Sequence, residues 1–263
     1  MKGIKGLAAV ILAGGRGTRF QDVCGKIPKS MAPVGLKNKP HLEYLVDYLL
    51  KKGIQKVIIV TGFLSEIIED NFFSWRRKGV EIILDPPEIP DTGGATKNAI
   101  LHLLKDKNYF IKDILYWSPD TLVSGVDPER LYQYHLSHGL PSTIVFTNDP
   151  TAPNTGKIKV TRKKNFYLIS YFNETGERVV WENPLAHAGT GILSLSTLLD
   201  VLYSPPFEGR NSFCMYKEVM PYIVQRGAAA WITGGNFLEW GTAERFEKIM
   251  ARHPEWIEAA YAL

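Results

Sequence analysis

Between Ala8 and Phe20 the chain reads AAVILAGGRGTRF. An apolar run stops at Gly14 and Gly15, and Gly17 follows, with Arg16 and Arg19 on either side of Gly17-Thr18. Glycines let a backbone approach a ligand closely, and successive N–H groups can converge on an anion. The arginines add charge and forked donors for phosphate oxygens. Lys29 follows in KIPKSMAPVG, where Pro28 and Pro33 restrict the loop around it. The chemistry available to this set is the holding of a polyanion such as a nucleoside triphosphate. Two familiar phosphate loops do not fit. A P-loop requires Lys-Ser/Thr after its last glycine, and this chain has Thr18-Arg19; a G-x-G-x-x-G fingerprint fails at Phe20.

The elements that must present this loop alternate through the first half of the chain. LAAVIL, QKVIIVTG, VEIILD, DILYWSPD and STIVFTND read as buried strands. PHLEYLVDYLLKKG, SEIIEDNFFSW, TGGATKNAILHLLK and DPERLYQYHLSHG read as helices between them, with Pro40 near a first turn, Gly53 at an end and Ser65 in a capping place. Apolar strands separated by amphipathic helices predict a mainly parallel sheet with helices on both faces. In such sheets ligands sit beyond the carboxyl ends of the strands, where the glycine loop is. After about Pro153 the pattern changes. GKIKVT, FYLISYF, RVVWEN and HAGTGILSLS read as strands, helices follow around 196–203 and 214–225, and AAAWITG and NFLEW precede a helical segment from Thr242. The expectation is an α/β fold with a Rossmann-like nucleotide-binding core over 1–150 and a mixed α+β half over 151–263, packed as one unit.

The 263 residues and 45% apolar composition allow a sizeable core. A net charge of +4 without long Lys/Arg runs favours a small anionic substrate over nucleic acid. Cys24 and Cys214 form no metal-type spacing or disulfide framework. No segment has the length of a membrane span or the form of a signal peptide, so a cytoplasmic protein without a membrane partner is expected. A homo-oligomer is left open.

LAGGRGTR followed by PKSMAPV closely resembles the paired signature of the sugar-1-phosphate nucleotidyltransferases, and the resemblance runs from Ala8 to about Phe246. The texture is similar to the short bacterial enzymes that act on heptose, mannose or glucose 1-phosphates. The resemblance implies transfer of a nucleoside monophosphate from an NTP to a sugar 1-phosphate, with release of pyrophosphate and help from Mg²⁺. Such a reaction needs positioning and charge neutralisation and no covalent intermediate.

By the same resemblance, Leu12, Ala13, Gly14, Gly15, Gly17 and Thr18 would line the nucleotide, Arg19 would bind the departing pyrophosphate, and Lys29 would contact the α-phosphate or the attacking phosphate. DTGGATKNA places Thr92, Gly93 and Gly94 beside the base, with Asp91 where the family has glycine. LYWSPDTL makes Asp120 the first metal ligand, with Pro119 in a glycine's place. NTGKIKV and RVVWENPLAHAGTGIL place Gly156, Glu182, Thr190 and Gly191 at the sugar. Asn183 stands where a lysine is usual, and Arg178 or Lys157 would replace that charge. FLEWGTAERFEK makes Glu239 the second metal ligand in place of aspartate, and Thr242 a helix cap. The departures at Asp91, Pro119, Asn183 and Glu239 keep open a weakened nucleotide- or sugar-binding regulator. A non-sugar phosphate acceptor such as phosphocholine is a further alternative. Glu182 weighs against it, since a quaternary ammonium prefers an aromatic cage, and Trp181 and Trp240 read as core.

Overall fold

The structure is a computed structural model, and it describes residues 3–17, 20, 27–72, 79–86, 91–107, 109–149, 152, 158–172 and 185–261. Its centre is a nine-stranded sheet. In chain order the strands are β1 (Leu7–Leu12), β4 (Val57–Thr61), β5 (Val80–Leu84), β6 (Asp113–Trp117), β8 (Ser142–Thr147), β9 (Ile158–Arg162), β10 (Tyr167–Phe172), β11 (Ala186–Ser194) and β12 (Ala228–Thr233). Two short ribbons accompany it: β2 (Pro33–Val34) with β3 (Lys39–Pro40), and β7 (Thr121–Val123) with β13 (Phe237–Glu239).

The order across the sheet is β5-β4-β1-β6-β11-β8-β12-β10-β9. The strands β5, β4, β1 and β6 are parallel, as are β8 and β12. β11 is antiparallel to both of its neighbours, so a strand from the second half of the chain separates β6 from β8. The mixed character expected of the second half thus enters the middle of one continuous sheet. A parallel strand placed next to β6 would need a crossover; β11 reaches the gap by running the opposite way.

β1 is buried on both sides, which is why its sequence is a continuous apolar run. Leu7, Ala9 and Ile11 face one core with Leu42, Leu45 and Leu49 of α1 (His41–Lys51), Ile68 of α2 (Ser65–Phe72) and Leu131 of α4 (Pro128–His138). Ala8 and Val10 face the other core, with Ala99 and Leu103 of α3 (Thr92–Lys105), Leu198 and Val201 of α5 (Leu195–Leu202) and Met220 and Ile223 of α6 (Met220–Gln225). Local chemistry sets the helix ends. Asp127 accepts from the amides of Glu129 and Arg130, Pro128 opens α4, and Gly139 closes it at φ +67°. The expected 214–225 helix begins as one π-helical stretch over Met215–Val219. The C-terminal segment divides at Pro254 into α7 (Ala243–Arg252) and α8 (Pro254–Tyr261). Thr242 caps α7 by accepting from the Arg245 amide, as expected.

A smaller third core packs these last helices under the loops after β1 and β6. It contains Phe20, Ala32, Val34, Tyr44, Leu122, Trp240, Phe246 and Ile257. Trp240 is wholly buried there. Tyr44 donates to Glu258 Oε1 (2.7 Å), which joins α8 to α1. No helix among the described residues is long and apolar enough to cross a membrane.

Candidate active site

The chain leaves β1 toward β4 on one side and later returns to β6 on the other. The carboxyl ends of β1 and β6 therefore form a switch point, where an open α/β sheet leaves a crevice. The glycine loop leaves β1 there, and Ser118-Pro119-Asp120 leaves β6 beside it.

Gly14 packs backbone against backbone on the loop after β4. A Cβ at Gly14 would come within 3.0 Å of the Gly62 nitrogen, and the Phe63 amide donates to Gly14 O (3.2 Å). A Cβ at Gly15 would meet nothing within 4 Å, so its peptide faces open space. That space is a cavity of about 500 Å³, walled by Leu12, Gly14, Gly15 and Arg16 on one side and by Asp85, Asp91 and Thr92 on the other. Gly17 has φ +56° and lies against Lys29, which a Gly17 Cβ would touch at 3.4 Å. The glycines thus serve two ends: close backbone approach at 14 and a left-handed turn at 17.

Lys29 opens a short 3₁₀ turn, Lys29–Met31, anchored by buried Ser30 and Met31. Its ammonium pairs with Asp120 Oδ2. Ser118 Oγ donates to Asp120 Oδ1 (2.6 Å). Burial pushes the Asp120 carboxyl up, but the Lys29 charge, with its hydrogen bond and that of Ser118, outweighs burial and holds it below the usual carboxylate range. Asp120 O accepts from the Trp240 amide (3.2 Å), and Ser118 N donates to Gly189 O (2.8 Å).

Glu239 stands opposite Thr121 in the β7–β13 ribbon, one residue from Asp120. Its carboxylate folds over Gly241 and pairs with Arg245. The two acids are neighbours in backbone but are directed at different cations.

Asp91 caps α3, accepting at Oδ1 from Thr92 N (2.6 Å) and Thr92 Oγ1 (3.1 Å). Thr92 Oγ1 in turn accepts from the Met215 amide (2.9 Å). Gly93 and Gly94 are buried behind this wall, with Gly93 pressed on Phe213. Thr190 is buried within β11 and donates to Tyr116 O (2.8 Å), and Gly191 packs against Tyr116 and Thr143. Thr18, Arg19, Gly156 and Glu182 lie outside the described residues, as do Lys157, Arg178, Trp181 and Asn183.

Three supporting residues had no signal of their own in the sequence reading. Gly189, at φ +70°, holds the Asp120 loop from β11, next to a register shift between His187 and Gly191. Asp85 directly follows β5 in the cavity wall and accepts from Asn98 Nδ2 (2.9 Å) at Oδ1. His41, the first residue of α1, is wholly buried and bonds Pro119 O through Nδ1 (2.7 Å). A polar residue at the head of the apolar stripe 41, 42, 45, 49 was the one available hint of it.

Burial holds His41, His138 and His187 neutral, each lowered to about 4; the neighbouring His135 adds to the effect at His138. An unfolded histidine titrates near 6.5, so the unfolded chain takes up protons first as pH falls. The stabilisation is complete above about pH 6.5 and is lost between there and about pH 4, with a slope approaching about 1.4 kcal/mol per pH unit for each histidine. Urea unfolding midpoints at pH 7, 6 and 5 should fall accordingly. A flat profile across that window would show that these histidines are not held neutral.

The sequence model of the nucleotidyl transferase family matches residues 8–175, which include β1, the glycine loop, Lys29 and Asp120. D-glycero-alpha-D-manno-heptose 1-phosphate guanylyltransferase of Aneurinibacillus thermoaerophilus is 36% identical over 139 residues, covering 52% of this chain and 56% of the relative. The chain thus spans about half the length of this relative. The mannose-1-phosphate guanylyltransferase catalytic subunit beta of Xenopus tropicalis is 24% identical over 269 residues, covering 95% of this chain and 68% of the relative. Among solved structures, HddC from Yersinia pseudotuberculosis shares the fold with a TM-score of 0.68 at 24% identity, over 93% of this chain and 98% of that one. With the family signature spanning the loop and both charged residues that the fold brings together, this chain belongs to the nucleotidyl transferase family.

Proposed function

We propose that the chain transfers GMP from GTP to a sugar 1-phosphate of manno configuration. A phosphate oxygen of the sugar phosphate attacks the α-phosphorus, the bond to the β-phosphate oxygen breaks, and pyrophosphate leaves. The observation that carries this reading is the pairing of Lys29 with Asp120, with Lys29 packed on Gly17 of the same loop whose Gly14 and Gly15 wall the cavity. Two anions have to meet there, and a lysine held by an acid beside an open glycine backbone supplies both neutralisation and room. The manno configuration is common to the heptose and mannose relatives named above.

Guanine is supported by the cavity wall. Asp85 Oδ1 is held by Asn98, and Oδ2 has no partner among the described residues. Burial raises this carboxyl, partly offset by the Asn98 bond, so a paired donor from a ligand would be well used. Guanine offers N1–H and the 2-amino group side by side; uracil offers one N–H between two carbonyls, which a carboxylate repels.

Asp120 and Glu239 offer hard carboxylate oxygens on adjoining backbone segments, the donor type that magnesium takes. Each is paired with its own cation, Lys29 and Arg245, and both would have to turn from those partners to hold one ion, with phosphate oxygens and water completing six. When bound, such an ion would neutralise charge on the triphosphate. The chain's own contribution is to orient Asp120 through Ser118, Trp240 and Gly189 and to present Lys29 to phosphate oxygens.

The test is pyrophosphate release from each of the four NTPs with mannose, heptose and glucose 1-phosphates. GTP with a manno acceptor should be preferred. Asp85→Asn should cut kcat/KM for GTP about 10- to 100-fold, the worth of a charged hydrogen bond, and leave the weaker NTPs unchanged. Equal use of all four NTPs by the unmodified protein would reject the guanine assignment.

A further inference from the structure

We propose that His41 is a positioning residue for the Lys29–Asp120 pair, locked in its working tautomer by the Tyr261 hydroxyl at the end of the last helix.

His41 touches both arms of the pair. Its backbone N–H donates to Ala32 O (3.3 Å), directly after the turn that carries Lys29. That turn has two internal bonds, Met31 N to Pro28 O (2.8 Å) and Ala32 N to Lys29 O (3.2 Å). The His41 ring bonds Pro119 O (2.7 Å), the carbonyl immediately before Asp120. The ring also stands edge-on to Trp240, with centroids 4.5 Å apart, and the Trp240 amide donates to Asp120 O. One side chain and its own amide therefore connect the lysine turn, the aspartate loop and the ribbon that carries Glu239.

The proton positions follow from the partners. A carbonyl only accepts, so Nδ1 must carry the proton that goes to Pro119 O. The wholly buried ring is neutral, so Nε2 is an acceptor, and Tyr261 Oη lies 2.7 Å away to donate to it. Without that donor the other tautomer, protonated at Nε2, becomes competitive, and it turns a lone pair toward Pro119 O. Tyr261 thus reaches the site through a single ring, from a helix that places no residue in the cavity wall.

Tyr48 supplies the matched control. Its hydroxyl donates to Val126 O (2.8 Å), and its ring lies 5.3 Å from that of Tyr261. It makes no bond to either arm. Tyr261→Phe and Tyr48→Phe each delete one hydroxyl from the same aromatic cluster.

The first measurement is amide hydrogen exchange at Ala32 and Trp240, one reporter in each arm. Tyr261→Phe should speed exchange at both by about tenfold beyond any global change, and Tyr48→Phe should not. The second rests on the transferase reading above: Tyr261→Phe should lower kcat about tenfold with KM for GTP changed less than twofold, because the loss lies in alignment and not in nucleotide binding. His41→Asn, whose Nδ2–H can replace Nδ1–H toward Pro119 O, should retain more kcat than His41→Phe. Unchanged protection at Ala32 and Trp240 in Tyr261→Phe, or equal loss in Tyr48→Phe, would overturn the proposal. Faster exchange with unaltered kcat would overturn it as well. If the unmodified protein released no pyrophosphate from any NTP, the transferase reading would fail, and the exchange arm would still decide the positioning role.

Discussion

Asp120→Asn is expected to lower kcat for pyrophosphate release by about 10³-fold, the scale on which a single well-placed electrostatic group contributes. The substitution keeps the shape of the side chain and an acceptor for Ser118 Oγ. It removes the charge that faces Lys29, whose side chain is mostly buried. Leaving that ammonium with a neutral partner costs about 1–3 kcal/mol of stability. For a domain of this size that corresponds to a melting shift of roughly 2–12 °C, well short of unfolding at assay temperature. Lys29→Met should lower kcat/KM comparably from the other side of the pair, since it removes the cation that phosphate oxygens would meet. The two losses should not add: the double variant should resemble the worse single variant, because each residue positions the other. Stopped turnover with an intact thermal transition is the expected pattern. Full activity in Asp120→Asn would remove this acid from the reaction.

Gly93→Ala is expected to be the most damaging single-methyl change near the cavity, and to act through packing. A Cβ at Gly93 would overlap the Phe213 ring and lie 2.6 Å from Phe213 O. The Gly93 amide already donates to that carbonyl (2.8 Å), so the two backbones cannot separate without losing the bond. Phe213 is buried against Phe207 with centroids 5.2 Å apart, which leaves no room for the ring to retreat. Overpacking of this kind costs about 3 kcal/mol. The melting temperature should fall by about 6–12 °C. Gly15→Ala is the contrast, because its added methyl meets nothing. It should leave the melting temperature within about a degree and weaken nucleotide use by obstructing the open peptide. A Gly93→Ala protein as stable as the parent would show that the Phe213 segment is looser than the hydrogen bond implies.

These two glycines show how far the sequence could be read. GGRG announced a loop for an anion, and the structure lines a cavity with Gly14 and Gly15. TGGA has the same local look, yet Thr92 faces the cavity while Gly93 and Gly94 are interior. The difference lies in Phe213, far along the chain, which no local pattern announces. Asp91 was legible as a departure from the family signature; its use as the α3 cap emerged only in the fold. Strands and helices were legible almost throughout, because burial on one or two faces writes its period into the sequence. The insertion of antiparallel β11 between β6 and β8 was not, since a strand's pattern records that it is buried and not which strands flank it.

By itself the sequence determined the strand-and-helix alternation, the glycine loop at the end of β1 and the presence of a lysine and an acid suited to phosphate chemistry. These are set by neighbours in the chain, through backbone freedom, capping and periodic burial. Only the tertiary structure decided that Lys29 meets Asp120 across 91 positions, that Glu239 turns to Arg245, and that His41 joins Pro119 to Tyr261. The reason is physical: such pairings depend on where packed elements bring distant backbone together, and a buried polar group takes whichever partner that packing supplies.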